Sequence, residues 1–262
     1  MPIIDVHAHY GWWSFPIRIN SIEHINQLCE RYEIEKVMLS STEAIMCDMI
    51  RGNQQLAEAI KGQDRLLGYV VINPNYIDES SAEMRKYLYL PNFVGAKLHW
   101  TWAGQPLNSE RTMELIKAYR RYDKPILIHT YSLNDALAVI NLIKQFPGLI
   151  VIMAHMGGPD WERAVRAVEN HAQIFVEPCS SQPHRDKVRF AVDRLGPRRV
   201  LFGSDMTLLH PAFVLGMVMT QTSRTVNDRQ YYIAMQNMYL DCNRKAYHIE
   251  RGVVTPLGSD NA

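Results

Sequence analysis

Eight short runs rich in apolar and β-branched residues recur along this chain, at 3–9, 36–42, 67–73, 93–99, 125–130, 149–155, 173–178 and 199–205. Their ends step by roughly 23 to 33 residues, the length of one strand-plus-helix unit. Strands that alternate with helical segments argue for a parallel sheet, because a parallel pair needs a long crossover between its strands. Eight such units within 262 residues argue for closing that sheet on itself. The expected fold is therefore α/β: a single (β/α)8 TIM barrel over 1–250, with C-terminal helices at about 211–220 and 226–248 and a polar, frayed tail at 251–262. Two ordinary domains are the alternative that length alone allows.

The segments between the runs carry helix signals. Asn20-Ser21-Ile22-Glu23 and Asn108-Ser109-Glu110 each offer an N-cap before an amphipathic stretch. Asn134-Asp135 stands near the start of a helix that Phe146-Pro147-Gly148 ends. Pro159-Asp160-Trp161-Glu162 puts a proline and acids in a first turn, where the helix dipole favours negative charge.

Composition narrows the function classes. The net charge of +1 and the lack of a Lys/Arg run speak against nucleic acid and anionic lipid as partners. No segment approaches the roughly 18 consecutive apolar residues of a membrane span. The first residues enter a strand-like run directly, with no basic segment or long apolar stretch of a signal peptide. Cys29, Cys47, Cys179 and Cys242 are scattered and form no C-x-x-C pair, which reads as reduced thiols. The expectation is a soluble cytoplasmic protein with a small-molecule substrate, open to homo-oligomer formation.

The polar residues at the strand ends carry the chemistry. Run 1 ends Asp5-Val6-His7-Ala8-His9, run 5 ends Ile128-His129-Thr130, run 6 ends Ala154-His155-Met156-Gly157-Gly158, and run 8 ends Gly203-Ser204-Asp205. Side chains alternate along a strand, so His7 and His9 share a face. If Asp5 and its same-face neighbours point into the barrel, these imidazoles meet His129, His155 and Asp205 at its C-terminal mouth, where barrel enzymes build their active sites. Neutral imidazole and carboxylate oxygen are ordinary zinc ligands, and manganese or iron accepts the same mix. Asp5 could support His7 from below. One strand histidine alone is usually structural; the weight lies in the ordered set.

That set resembles the motifs of the amidohydrolase superfamily, in its amidohydrolase-related branch, which includes aminocarboxymuconate semialdehyde decarboxylase and 2-pyrone-4,6-dicarboxylate lactonase. The resemblance runs from Ile3 to about Tyr247, and Asn243-Arg244-Lys245-Ala246-Tyr247 is similar to the branch's closing helix motif. It implies one divalent metal, zinc first, with manganese or iron as alternatives. His7, His9 and His129 would be its ligands. Asp205 would bind the metal or accept a proton from bound water, and His155 would be an acid/base. Gly95-Ala96-Lys97-Leu98-His99 resembles the strand-4 motif. In dinuclear relatives a carboxylated lysine there bridges two metals; the branch generally uses one metal, and a free Lys97 would be a cation for a substrate carboxylate.

Other residues have plainer readings beside functional ones. His99 either contacts substrate or caps its strand. Trp12, Trp13, Trp100 and Trp102 follow strands 1 and 4, where they cover the rim or wall an aromatic pocket. Arg18, Tyr131 and Ser180 are further substrate contacts to consider. Glu177 reads as a hydrogen bond to the barrel frame, Cys179 as a buried thiol with no base specified beside it, and Gly157-Gly158 as a tight turn needing positive φ.

The first functional expectation is a metal-dependent hydrolase of a small carboxylated or cyclic substrate, a lactone or amide. The second is a metal-dependent non-oxidative decarboxylase, a carbon–carbon lyase, of an unsaturated or aromatic acid. A barrel that binds metal or ligand without turnover is a third, against which the joint presence of ligands and acid/base residues speaks.

Overall fold

A computed structural model describes residues 3–14, 21–182, 184, 186–220, 247–250 and 253–256. Seven parallel strands follow one another in sequence order across one sheet: β1 Ile3–Tyr10, β2 Ile34–Ser41, β3 Leu66–Ile72, β4 Phe93–Leu98, β5 Ile126–His129, β6 Val151–Ala154 and β7 Ile174–Val176. Every residue of β3 is buried, as expected of a parallel strand covered on both faces.

Helices fill the crossovers, and serine caps set where several begin. Ser21 accepts from His24 N ahead of the helix Ile22–Arg31, Ser109 from Thr112 N ahead of Glu110–Tyr119, and Ser132 from Asp135 N ahead of Leu133–Gln145. Asp160 precedes Trp161–Ala167 without capping it; its carboxylate instead accepts from Leu133 N at 3.1 Å.

Two hydrophobic layers show how the sheet curls. Ile4, Val6, Met38, Leu67, Tyr69, Val94, Leu127, Ile152, Ala154 and Leu201 form a cluster built from strands and the 200–206 segment alone, so the inner face of the sheet packs on itself. The larger cluster joins the other strand face to the helices. Tyr69 is fully buried in the inner cluster, and its hydroxyl donates to Val6 O at 3.1 Å, which meets the cost of burying it.

The expected eighth strand at 199–205 is not regular. This segment makes isolated bridges on both sides, Val176 with Val200 and Ala8 with Met206. Leu201 N donates to Val176 O at 2.8 Å, Val6 N to Phe202 O at 2.9 Å and Asp205 N to His7 O at 2.7 Å. The segment thus joins β7 to β1, but a left-handed Asp205 (φ 58°) breaks the ladder. Toward the C-terminus, the helix Pro211–Thr220 is as expected. The expected helix at 226–248 lies outside the described residues except for its end. There Tyr247–Glu250 (β8) pairs antiparallel with Val253–Pro256 (β9), in place of helix and frayed tail.

The alternation that was to carry Asp5, His7 and His9 to one face is interrupted. Between Asp5 and Ala8, β1 holds one more residue than the stretch of β2 it pairs with. Ile4 and Val6 therefore belong to the enclosed cluster while Ala8 belongs to the helix-side layer. This bulge turns His7 and His9 to the inside; Asp5 stays with the seam. A second extra residue in β4, opposite Gly68 and Tyr69, does the same for Lys97 after Val94.

Candidate active site

The ends of the strands surround a cavity of about 420 Å3. Its wall includes His7, His9, Lys97, His99, His129, His155 and Asp205, together with Trp13, Trp102 and Tyr131. Of the five substrate contacts expected from the sequence, Lys97, His99 and Trp13 are on this wall. Trp12 is not; it is 64% exposed. Trp100 is also off the wall, and its indole donates to His129 O at 3.0 Å, bracing the strand end from outside. Trp102 takes the place it was to fill. Tyr131 lines the cavity and shares a hydrogen bond of 2.8 Å with Ser181, which is also on the wall, whereas Ser180 is not. Arg18 lies outside the described residues.

His7 is the centre of the cluster. Its Nδ1 lies 2.9 Å from Glu177 Oε1. Its Nε2 lies 3.1 Å from His9 Nε2, 2.9 Å from Lys97 Nζ and 3.5 Å from Asp205 Oδ1. Asp205 Oδ1 is also 3.0 Å from His9 Nε2, and the far nitrogen of His9 pairs with Ser40 Oγ at 3.0 Å. Ser40, in β2, is a partner that sequence reasoning missed; a polar residue late in an apolar strand was the only signal. With the His7 proton drawn to Nδ1 by Glu177, its Nε2 lone pair is left to accept from Lys97 Nζ, 2.9 Å away, or to ligate an ion.

His129 stands one imidazole away. Its Nδ1 is 3.1 Å from His155 Nε2, and its ring stacks on His99 at 4.0 Å between centroids. His155 in turn reaches Cys179 O through Nδ1 at 3.1 Å. His155 and Met156 have φ of 64° and 54°, and Gly157 and Gly158 continue the left-handed turn. Side chains at the two glycines would meet Ala164 and the Tyr131 ring, so the tight-turn reading of this pair fits. Asp5 is tied to the seam: it accepts from His7 N at 3.1 Å, Ser204 N at 3.0 Å and Ser204 Oγ at 2.5 Å.

Burial sets the charge state. It pushes His7, His9, His99 and His155 well below the ordinary imidazole range, with Lys97 adding to the effect on His7 and His9, and it takes His129 down to about 3. The imidazoles are thus neutral, the form that ligates a metal. Burial also raises Asp205 to about 8 and lowers Lys97 to about 8, each opposed by the other's charge. Behind the wall, Lys187 is buried with no hydrogen bond to Nζ among the described residues; burial lowers it to about 8 against the pull of Cys179 and Glu177.

Among the described residues, two groups bring metal-ligand atoms within 4.8 Å of one another: His7, His9 and Asp205, and His7, His155, Glu177 and Cys179. The first faces the cavity and combines two neutral imidazoles with a carboxylate, a donor set that fits a divalent ion with positions left open. Glu177 and Cys179 of the second are not on the cavity wall.

The family model described as Amidohydrolase matches residues 4–218. No curated protein matches the chain. Solved structures do. 5-Carboxyvanillate decarboxylase from Sphingomonas paucimobilis is 11% identical, with 95% of this chain and 99% of that one covered at a TM-score of 0.76. The enzyme described by the same activity from Novosphingobium aromaticivorans, complexed with manganese and 4-hydroxy-3-methoxy-5-nitrobenzoic acid, is 13% identical over 93% and 95% at 0.71. A probable 2-pyrone-4,6-dicarboxylic acid hydrolase from Acinetobacter baumannii, with citric acid bound, is 14% identical over 94% and 98% at 0.59. At these identities the likeness is one of fold.

Proposed function

Since the chain belongs to the amidohydrolase family, we propose that it is a metal-dependent enzyme on a closed (β/α)8 barrel, removing carbon dioxide non-oxidatively from a small unsaturated or aromatic acid. The observation that carries this reading is the cavity. Rings form much of its wall, in Trp13, Trp102, Tyr131 and the stacked His99 and His129, and a buried lysine stands among them. Such a slot accepts a flat ring, and Lys97 offers charge to a carboxylate. The similarity to structures described as decarboxylases of an aromatic acid supports the choice.

In this reading His7, His9 and Asp205 would hold the ion, with His129, at the end of β5 and in neither close ligand group, as the further ligand. A divalent metal held there would supply charge to polarise oxygen groups of the substrate. Lys97 binds the substrate carboxylate. Trp13 and Tyr131 hold the ring and keep water from its faces. A proton must replace the departing carbon dioxide on carbon, and His155 and Asp205, both beside His7, are the groups placed to manage it. Zinc and manganese both suit this nitrogen and oxygen set.

Hydrolysis of a lactone or amide is the second reading. Asp205, 3.0 Å from His9 Nε2, is also placed to take a proton from an attacking water, and the similarity to a probable pyrone dicarboxylic acid hydrolase supports it. The two separate in one experiment. Metal-loaded protein is offered hydroxylated aromatic acids and pyrone or lactone acids, with carbon dioxide release and ring opening followed in parallel. Carbon dioxide from the aromatic acids is expected; ring opening without carbon dioxide would hand the assignment to the hydrolase.

A further inference from the structure

We infer that Glu177 is a positioning residue: a single carboxylate behind the cavity that sets the proton of His7 on Nδ1 and pins the turn that carries His155. The inference deepens the proposed function, on which it rests only in taking His7 as a metal ligand.

Glu177 directly follows β7 and is fully buried. Every contact it makes is with a group able to donate. Oε1 accepts from His7 Nδ1 at 2.9 Å, from His155 N at 2.7 Å and from Cys179 Sγ at 3.1 Å. Oε2 accepts from Cys179 N at 2.8 Å. Four donors on two oxygens are what an ionised carboxylate can satisfy and an acid or amide cannot.

The consequences differ for the two histidines. On His7, an acceptor at Nδ1 fixes the tautomer and leaves the Nε2 lone pair for the cavity. On His155, the bond holds a backbone N–H in the left-handed region (φ 64°), where a residue other than glycine stays only if its surroundings hold it. Gly203 makes room for both partners. A Cβ there would stand 2.8 Å from Glu177 Oε2 and 3.0 Å from His7 Cβ. Lys187, buried in the first turn of the helix Lys187–Leu195, acts electrostatically on this carboxylate from outside the cavity.

Glu177→Gln keeps the volume but must set an NH2 group against a donor. At Oε2 it meets Cys179 N–H; at Oε1 it meets His155 N–H and drives the His7 proton to Nε2. Two readouts test this: affinity for Mn2+ or Zn2+ by competition with a chelator, and the tautomer of His7 from the 15N signals of its ring, assigned with a His7→Asn variant. The expected result is metal binding weaker by about ten- to a hundredfold, with the His7 signal moving toward the Nε2–H form. Gly203→Ala, which crowds the carboxylate without removing it, should shift both readouts the same way and decides the matter if Glu177→Gln does not fold. A folded variant with affinity within about twofold of wild type and an unchanged tautomer would overturn the inference, as would a second bound ion that vanishes in Glu177→Gln while the first remains. If the wild-type chain takes up no metal, it is the metal reading that fails, and the tautomer measurement still decides the role of Glu177.

Discussion

Asp205→Asn separates the chemistry of the site from its architecture. The substitution changes one oxygen to an NH2 group and leaves the volume alone. The backbone tolerates it, because Asp205 is left-handed at φ 58° and asparagine is among the few residues that adopt this region readily. Its own N–H still donates to His7 O. Burial keeps the Asp205 carboxyl protonated up to about pH 8 in the metal-free chain, so a neutral amide is close to the group it replaces. The thermal midpoint of the metal-free protein at pH 7 should therefore move little, by the equivalent of about 1 kcal/mol or less. Turnover is another matter. An amide cannot take or give the proton that a carboxyl manages, and loss of a placed acid/base costs about 10²–10⁴ in rate, or about 3 to 5 kcal/mol of barrier. Metal affinity should fall without vanishing, since the amide oxygen 3.0 Å from His9 Nε2 can still coordinate. The assay is kcat on saturating metal, beside unfolding and metal content. A variant keeping more than about a tenth of wild-type kcat would refute the argument and pass the proton role to His155.

Removing metal with a chelator should abolish activity and lower the thermal midpoint by a few degrees, because an ion at about 100 times its dissociation constant stabilises by about 2.7 kcal/mol; unchanged activity after verified removal would exclude a metal-dependent reaction. Metal content should approach one ion per chain with Lys97 unmodified, and two ions bridged by a carboxylated Lys97 in a crystal structure would contradict this. The metal-free chain should be most stable at about pH 6 to 7. The buried imidazoles, held below their unfolded value, contribute stability that is lost as pH falls below about 6.5. Asp5 and Asp205, raised to about 7 and about 8, contribute stability that is lost as pH rises through those values, while Lys97, lowered to about 8, returns some above it. Urea midpoints that climb steadily from pH 6.5 to 8 would contradict this balance. Gly52→Ala should cost about 1–3 kcal/mol by overpacking, since its Cβ would collide with the Ala44 backbone nitrogen, between the helices Thr42–Met46 and Met49–Ala59; urea denaturation measures it, and a neutral result would show that the two helices part freely.

Much of this fold could be read because β1 to β7 obey local rules. Their apolar runs end where the structure ends them, within one or two residues, and Ser21 and Ser109 cap helices where the pattern opens, whereas the helix expected near Asn134-Asp135 is capped by Ser132, just before them. What escaped were departures from period two. Nothing in Asp5-Val6-His7-Ala8-His9 announces an extra residue, so the convergence of His7 and His9 was anticipated on a premise, Asp5 facing inward, that the bulge removes. The seam at 200–206 looked like a strand because Val200, Leu201 and Phe202 are apolar, yet its geometry is decided by Asp5 and Ser204, far apart in sequence. Glu177 is similar. An acid after Ile174-Phe175-Val176 could be noticed, but its partners His7, His155 and Cys179 come together only in the folded chain.

The seam between 200–206 and β1 also dictates when the protein can become itself. His7 and His9 lie far before the seam in sequence, but their backbone bonds across it are made with Asp205 and Met206, and their carboxylate partner is Asp205. Contacts of such long sequence separation form late and slowly, because loop closure must precede any gain from them. A nascent chain short of residue 206 leaves the first strand with only β2 beside it and a cluster without its acid. Capture of an ion by this site therefore belongs after synthesis, and an arrest or truncation anywhere before the seam leaves strand edges open to aggregation rather than a smaller working enzyme.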